Sequence, residues 1–264
     1  MAPAGGSDEA SEVLYGLHAV REALRAGTRP LSRILVLGHD RQFADLIRLA
    51  RAARVPVSVS PRRALDRLVP DGKHQGVIGL IAPRRYAAPE EILATARARG
   101  EPPFVVILDG VEDPRNLGAV LRTAEAAGVH GVLIPERRSV GLTGTVAKVA
   151  AGALEHLQVG RVQNVSRVIE ALKAEGLWVY ALDPTAPRSY TSLDLRGPVA
   201  LVLGGEGKGV RPGVREKCDE CASIPMFGRV GSLNVSVAAG VIMYEVLRQR
   251  MSGTKIKEKW RILA

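Results

Sequence analysis

The chain has 264 residues, 46% of them hydrophobic, and 37 Lys and Arg against 27 Asp and Glu, a net charge of +10. That length accommodates two modest domains with proper cores, and no apolar run approaches the roughly 18 residues of a membrane span. Two cysteines give no disulfide framework and point to a reducing, cytoplasmic setting.

The first dozen residues, MAPAGGSDEASE, carry acids and no apolar signal core, so 1–12 reads as a flexible tail. Helical spacing follows at Leu17, Val20 and Leu24 and stops at Gly27. Then come a strand-like RILVL (33–37), a helix over 41–54, a short strand PVSVS (56–60), a short helix after Pro61, and a strand GVIGLIA (76–82). Residues 13–83 therefore read as a small α/β domain. The prolines and glycine bounding 84–103 suit a linker containing one short helix.

From residue 104 the pattern becomes strand, then helix, repeated. The strand runs are FVVIL (104–108), GVLIP (131–135), LWVYAL (177–182), VALVLG (199–204) and ASIPM (222–226). Helical stretches lie at about 117–127, 143–155, 165–175, 213–220 and 235–250. Continuous apolar strands between helices predict a parallel sheet covered on both faces, here over 104–250. A basic tail, 251–264, follows.

The basic excess is spread along the sequence, with 16 basic and 10 acidic residues in 1–100, and 21 and 17 in 101–264. A surface of that sign suits a polyanion such as nucleic acid. The rival explanation is a composition that favours Arg throughout. Aromatics are only 4%, which argues against a base-stacking platform and leaves phosphate and shape contacts to carry binding.

Three loops follow strand ends, where ligands of open α/β sheets bind. In LDGVEDPRNLGAVLRTAEAAG (108–128), Asn116 could be a helix cap or a site residue. Arg122 lies on a largely apolar helix face, where an ordinary snorkelling Arg is the alternative. In LGGEGKGVRPG (203–213) the glycines let backbone approach a ligand. The spacing fits neither the dinucleotide fingerprint nor the P-loop. Glu206 in its middle could bind a ligand hydroxyl or stand solvated. In GSLN (231–234), ahead of the last helix, one cap needs either Ser232 or Asn234 but not both. The surplus polar group suits a ligand at a positive helix end. Cys218 and Cys221 form a lone C-x-x-C, from which no metal site is expected.

These loops, in this order, resemble the three motifs of the SpoU (TrmH-type) branch of the SPOUT RNA methyltransferases. The matching stretches are DPRNLGAVLRTAEAAGVHGVLIP (113–135), LVLGGEGKGVR (201–211) with CDECASIPM (218–226), and GSLNVSVAAGV (231–241). YGLHAVREAL (15–24) and KHQGVIG (73–79) resemble the substrate-binding domain of the RlmB subgroup. One departure is Arg115, where that subgroup commonly has His.

The resemblance implies an α/β methyltransferase domain whose C-terminal segment is tied in a trefoil knot, beside a small N-terminal α/β RNA-binding domain. It implies transfer of a methyl group from S-adenosyl-L-methionine to a ribose 2′-hydroxyl of large-subunit (23S) rRNA, at a guanosine of the peptidyl-transferase centre. A tRNA 2′-O-ribose methyltransferase and a non-catalytic RNA-binding assembly factor are the alternatives. A homodimer is implied as well, with no membrane or metal. Carried over by position, the backbones of Gly204, Ile224 and Leu233 would hold the cofactor. Asn116, Arg122, Glu206, Ser232 and Asn234 match the catalytic and substrate-positioning set. The family's proposed general base falls on Arg122, yet a neutral Arg at pH 7 costs at least roughly 7 kcal/mol. A cation stabilising the forming alkoxide carries no such penalty.

Overall fold

The computed structural model describes residues 12–38, 40–70, 73–207 and 209–252. Most of the acidic leader and the tail 254–264 lie outside them. In chain order the elements are β1 (Glu12–Tyr15), α1 (Leu17–Ala26), β2 (Leu31–Val36), α2 (Ala44–Ala52), β3 (Val57–Val59), α3 (Arg62–Leu68) and β4 (Val77–Ile81). There follow α4 (Pro89–Arg99), β5 (Phe104–Asp109), α5 (Pro114–Ala126), β6 (Gly131–Pro135), α6 (Gly144–Val149) and β7 (Gln158–Val162). The chain continues through α7 (Val165–Ala174), β8 (Trp178–Leu182), β9 (Val199–Gly204), α8 (Pro212–Arg215), β10 (Glu220–Ala222) and α9 (Val235–Ser252). The described chain falls into two compact units, 12–85 with 141–156, and 86–140 with 157–252.

The first unit is built on a mixed sheet of order β1-β4-β2-β3, antiparallel except for the parallel β2–β3 pair. Period-two alternation on β2 buries Ile34 and Val36 fully. Leu35 on the opposite face packs with Tyr15, Leu65, Val69 and Ile78. Residues 141–156 belong to this unit although the sequence reading places them in the second block. There α6 packs on β1 and α1. The helix expected over 143–155 is broken at Ala151 and Gly152, which take φ values of 51° and 95°. Gly152 tolerates no side chain, since a Cβ would come within 2.5 Å of Glu22. The break turns Glu155 inward. Its carboxylate accepts from Arg84 Nη2 at 2.5 Å and Thr28 Oγ1 at 3.1 Å, with Arg29 Nη1 3.7 Å away.

The second unit is a six-stranded sheet, parallel throughout, of order β10-β8-β9-β5-β6-β7. All six residues of β5 are buried, as expected of a strand covered on both faces. From β5 the chain steps outward through β6 to β7, then resumes on the other side with β8 and inserts β9 beside β5. The β5–β9 boundary is therefore the switch point of the sheet, where such folds open a crevice.

Two edge strands differ from the sequence reading. β7 alternates polar and apolar residues, as its Arg161 is exposed, so it carries no continuous apolar run. ASIPM is not a strand; β10 occupies Glu220–Ala222, and Pro225 has no N–H to extend the ladder. Among the described residues the first unit holds 15 Lys and Arg against 6 Asp and Glu, a net +9, while the second holds 17 of each. Most of the acidic leader and of the basic tail lie outside these counts, and over the full sequence the excess is spread along the chain.

Candidate active site

At the switch point β5 ends in Asp109 and β9 in Gly204, which are paired in register. Gly204 and Gly205 then run through a passage of bare backbone. A Cβ on Gly204 would lie 1.9 Å from the Gly209 carbonyl carbon, and one on Gly205 would lie 1.8 Å from Gly110 O. Only glycine fits at either position. The far end of the loop is held by Arg211, whose backbone N–H and guanidinium both bond the buried Asp109 carboxylate.

Beside this loop lies a cavity of about 420 Å³. Gly204, Glu206, Ile224, Ser232, Leu233 and Asn234 all line it, so six of the eight positions singled out from the sequence meet at one place. Asn116 joins them through hydrogen bonds. Its Nδ2 donates to Glu206 Oε1, and its Oδ1 accepts from Asn234 Nδ2 at 3.1 Å. Asn234 Oδ1 in turn accepts from the backbone N–H of Ser236 at 2.8 Å and from its hydroxyl at 2.6 Å. Each amide thus has one orientation that satisfies the chain of bonds, which runs from the start of α9 through α5 to the glycine loop.

The caps are now assigned. Asp113, not Asn116, caps α5, accepting from the Arg115 N–H at 2.7 Å with Pro114 at the first helical position. Asn234 caps α9 and leaves Ser232 exposed at the cavity. Arg122 stands apart. It is exposed on α5 and has no hydrogen bond or ion pair among the described residues. Six residues at about 100° each set it about 120° around the helix from Asn116.

Sequence reasoning missed Asp183 and Met226, which also line the cavity. Asp183 follows β8 in the position where strand-end loops carry ligands, and that was its available signal. Burial would raise its carboxyl pKa, but bonds from the Thr185 N–H and hydroxyl, with Arg215 2.7 Å away, hold it below the usual range. Cys218 is different. Burial pushes its thiol up to about 12, and its Sγ donates to Val214 O at 3.4 Å. Among the described residues no group of three or more His, Cys, Asp or Glu is arranged to hold a metal ion. No described helix is long and apolar enough to cross a membrane.

Residues 103–244 match the model of the SpoU rRNA Methylase family. The chain belongs to that family. Residues 13–87 match the model described as RNA 2′-O ribose methyltransferase substrate binding. A Bacillus subtilis (strain 168) protein named for the TrmH family of tRNA/rRNA methyltransferases, YacO, is 44% identical over 90% of this chain and 96% of its own. The AdoMet-bound rRNA methyltransferase from Sinorhizobium meliloti superposes with a TM-score of 0.72 at 25% identity, covering 90% of this chain and 87% of that one. The TrmH/SpoU tRNA modifying enzyme of A. aeolicus matches at TM-score 0.53 and 28% identity, covering 58% of this chain and 78% of that one. This SpoU-family chain is thus an RNA methyltransferase of the SpoU/TrmH type, with the family's α/β architecture and an N-terminal substrate-binding segment.

Proposed function

We propose that the protein methylates a ribose 2′-hydroxyl of large-subunit rRNA with S-adenosyl-L-methionine, at a guanosine of the peptidyl-transferase centre. The observation that carries this reading is the bond chain Glu206–Asn116–Asn234 at the edge of the switch-point cavity. The cavity fits the cofactor in kind. Its volume lies in the range of small-ligand sites. Leu203, Ile224, Met226 and Leu233 give apolar walls, and the carboxylates of Asp183 and Glu206 suit a ligand carrying positive charge. Gly204, Ile224 and Leu233 line the cavity, and their backbones would hold the adenosine portion. When bound, S-adenosyl-L-methionine supplies the electrophilic methyl group.

The protein's own residues then position the acceptor. Glu206 offers its second oxygen to a ribose hydroxyl, since Asn116 occupies the first. The hydroxyl of Ser232 lies on the same wall. Fixing the acceptor oxygen against the donor carbon supplies much of the acceleration. Around this site we infer the family's trefoil knot, consistent with Gly204 and Gly205 threading between neighbouring backbone segments.

Arg122 is offered to a second copy of the chain. α9 is apolar on its outer side, with Val237 51% and Tyr244 49% exposed, and Val230 and Phe227 nearby in sequence are more exposed still. Such a surface favours burial in a symmetric homodimer. α5 packs beside α9, so pairing through these helices carries Arg122 toward the partner's cavity, where its cation stabilises the forming alkoxide.

The rRNA target rests on coverage: the rRNA-methylating neighbour spans both units, whereas the tRNA-modifying one spans 58% of the chain. The test is tritium transfer from labelled S-adenosyl-L-methionine to purified rRNA and tRNA in a cytoplasmic extract depleted of the enzyme, followed by mass mapping. Methylation confined to tRNA would replace the rRNA assignment, and binding without transfer would favour an assembly factor. Mixing Arg122→Ala with Asn116→Ala protein tests the dimer. Each alone is expected to lose about 10²–10³ in rate. Recovered activity in the mixture shows Arg122 acting across the interface, and none places it within its own subunit.

A further inference from the structure

Three segments separated in sequence meet on the first unit: YGLH (15–18), KHQG (73–76) and α6. The Leu17 N–H donates to Gln75 Oε1 at 3.2 Å, and the Gly16 N–H donates to Val77 O at 3.2 Å. Tyr15 Oη bonds Thr145 Oγ1 at 3.1 Å. Lys148 Nζ donates to the Lys73 carbonyl and stands 5.4 Å from the centre of the Tyr15 ring. Gly16 lies beneath both side chains: a Cβ there would be 3.3 Å from Gln75 Oε1 and 3.7 Å from Lys148 Cγ.

The electrostatics of this junction are unbalanced. Burial and the neighbouring Lys73 charge both hold the Lys148 ammonium below the usual lysine range, and no carboxylate of the described residues opposes them. The carboxylates of the first unit are committed elsewhere. Among the described residues Glu12 pairs with Arg29, Glu22 with Arg25, Asp45 with Arg48, Asp66 with His74 and Glu155 with Arg84. Asp40 accepts from Gln42. Among the described residues the fold therefore holds two like charges close together at a surface, with no acid paired to either. A bound anion removes that cost.

We infer that Lys73 and Lys148 form a seat for the phosphodiester backbone of the RNA substrate, with Gln75 and the exposed His18 at its edge. The inference rests on the reading that the protein acts on RNA and adds where that RNA is held. A polyanion suits the seat better than a small free anion because the described residues of the unit around it carry a net +9. It also places an RNA contact outside residues 13–87, since Lys148 lies in the stretch matched to the methylase family.

The test measures binding of a fluorescein-labelled single-stranded RNA to the full chain by anisotropy across a salt series. Each lost phosphate contact lowers the slope of log affinity against log salt by about 0.7. The Lys73→Gln/Lys148→Gln protein is expected to bind about tenfold more weakly near 0.1 M salt, with a slope lower by roughly 1.4. Lys73→Gln alone, at an exposed position, should lose about half of that slope, and Lys73→Arg should keep it. S-adenosyl-L-methionine binding by calorimetry should be unchanged in all three. Unaltered affinity and slope in the double variant, or an equal loss in Lys73→Arg, overturns the seat. If the wild type transfers methyl groups to RNA while the double variant binds normally, the seat fails and the enzyme reading stands. If the wild type neither binds RNA nor transfers, both fall.

Discussion

Asp109 and Arg211, 102 positions apart, close an ion pair at the switch point of the parallel sheet. Arg211 donates its backbone N–H to Asp109 Oδ2 at 3.0 Å and its Nε–H to Oδ1 at 2.8 Å. The carboxylate side chain is fully buried and the guanidinium 43% exposed. The backbone carbonyl of Asp109 also accepts the Gly205 N–H at 2.9 Å. One residue thus pins both ends of the glycine loop that lines the cavity. Hydrogen bonding to Asp109 holds the Arg211 guanidinium above its ordinary pKa.

Arg211→Ala should therefore destabilise the protein by about 2 kcal/mol. It leaves a buried carboxylate short of donors, and the exposure of the arginine keeps the cost below that of a fully buried pair. Cofactor affinity measured by calorimetry should fall more than RNA affinity, with Arg211→Lys recovering part of it. Equal loss of both affinities would show general unfolding and not a loosened loop.

The glycine passage makes a sharper prediction. Gly204→Ala and Gly205→Ala each drive a methyl group into backbone that has no rotamer to yield, so the cost should exceed the roughly 1–3 kcal/mol of ordinary overpacking. Both should abolish cofactor binding. Gly231→Ala lies one residue before the cavity-lining Ser232, and a Cβ there meets nothing within 4 Å. It should fold and bind normally. Thermal melts beside calorimetry distinguish the three.

His130 gives the second unit a pH dependence. It is buried, its Nδ1 accepts the Phe104 N–H at 3.0 Å, and its Nε2 faces Glu101 at 3.1 Å. Burial holds its pKa below the usual 6.5, against the opposing pull of Glu101. The unfolded chain therefore takes up this proton first. Its contribution is complete above about pH 6.5 and fades as pH falls through the folded value, by up to about 1.4 kcal/mol per pH unit. Urea midpoints at pH 7.5, 6 and 5 should show a steeper decline for wild type than for His130→Gln. Parallel declines would remove His130 from the account.

Much of this was legible in the sequence, and for physical reasons. β6 and β9 match the runs 131–135 and 199–204 residue for residue, because buried parallel strands need unbroken apolar stretches. β9 fixes the loop that follows it, which is why Glu206 could be placed at a strand end, whereas Leu233 was reached only through the motif resemblance. What the pattern concealed was polar or short: β1 with four residues, β7 with an exposed arginine, and β10 with three residues that begin at Glu220. Asp109 reads in sequence as the end of a hydrophobic run. Its importance lies in a partner 102 positions away, which no local spacing reveals. Arg122 shows the converse limit, since its motif is plain but no hydrogen bond or ion pair reaches it among the described residues.

The inward turn at Glu155 bears on how this protein could be taken apart. The polypeptide leaves the first unit after residue 85, re-enters at 141 and departs again after 156. Glu155 fastens the returning excursion to Arg84, at the very exit of the earlier segment. A transplant of the N-terminal module cut at its apparent linker would leave sixteen of its residues behind, Lys148 among them. Any chimera meant to redirect the enzyme to another RNA must carry both pieces of thread together.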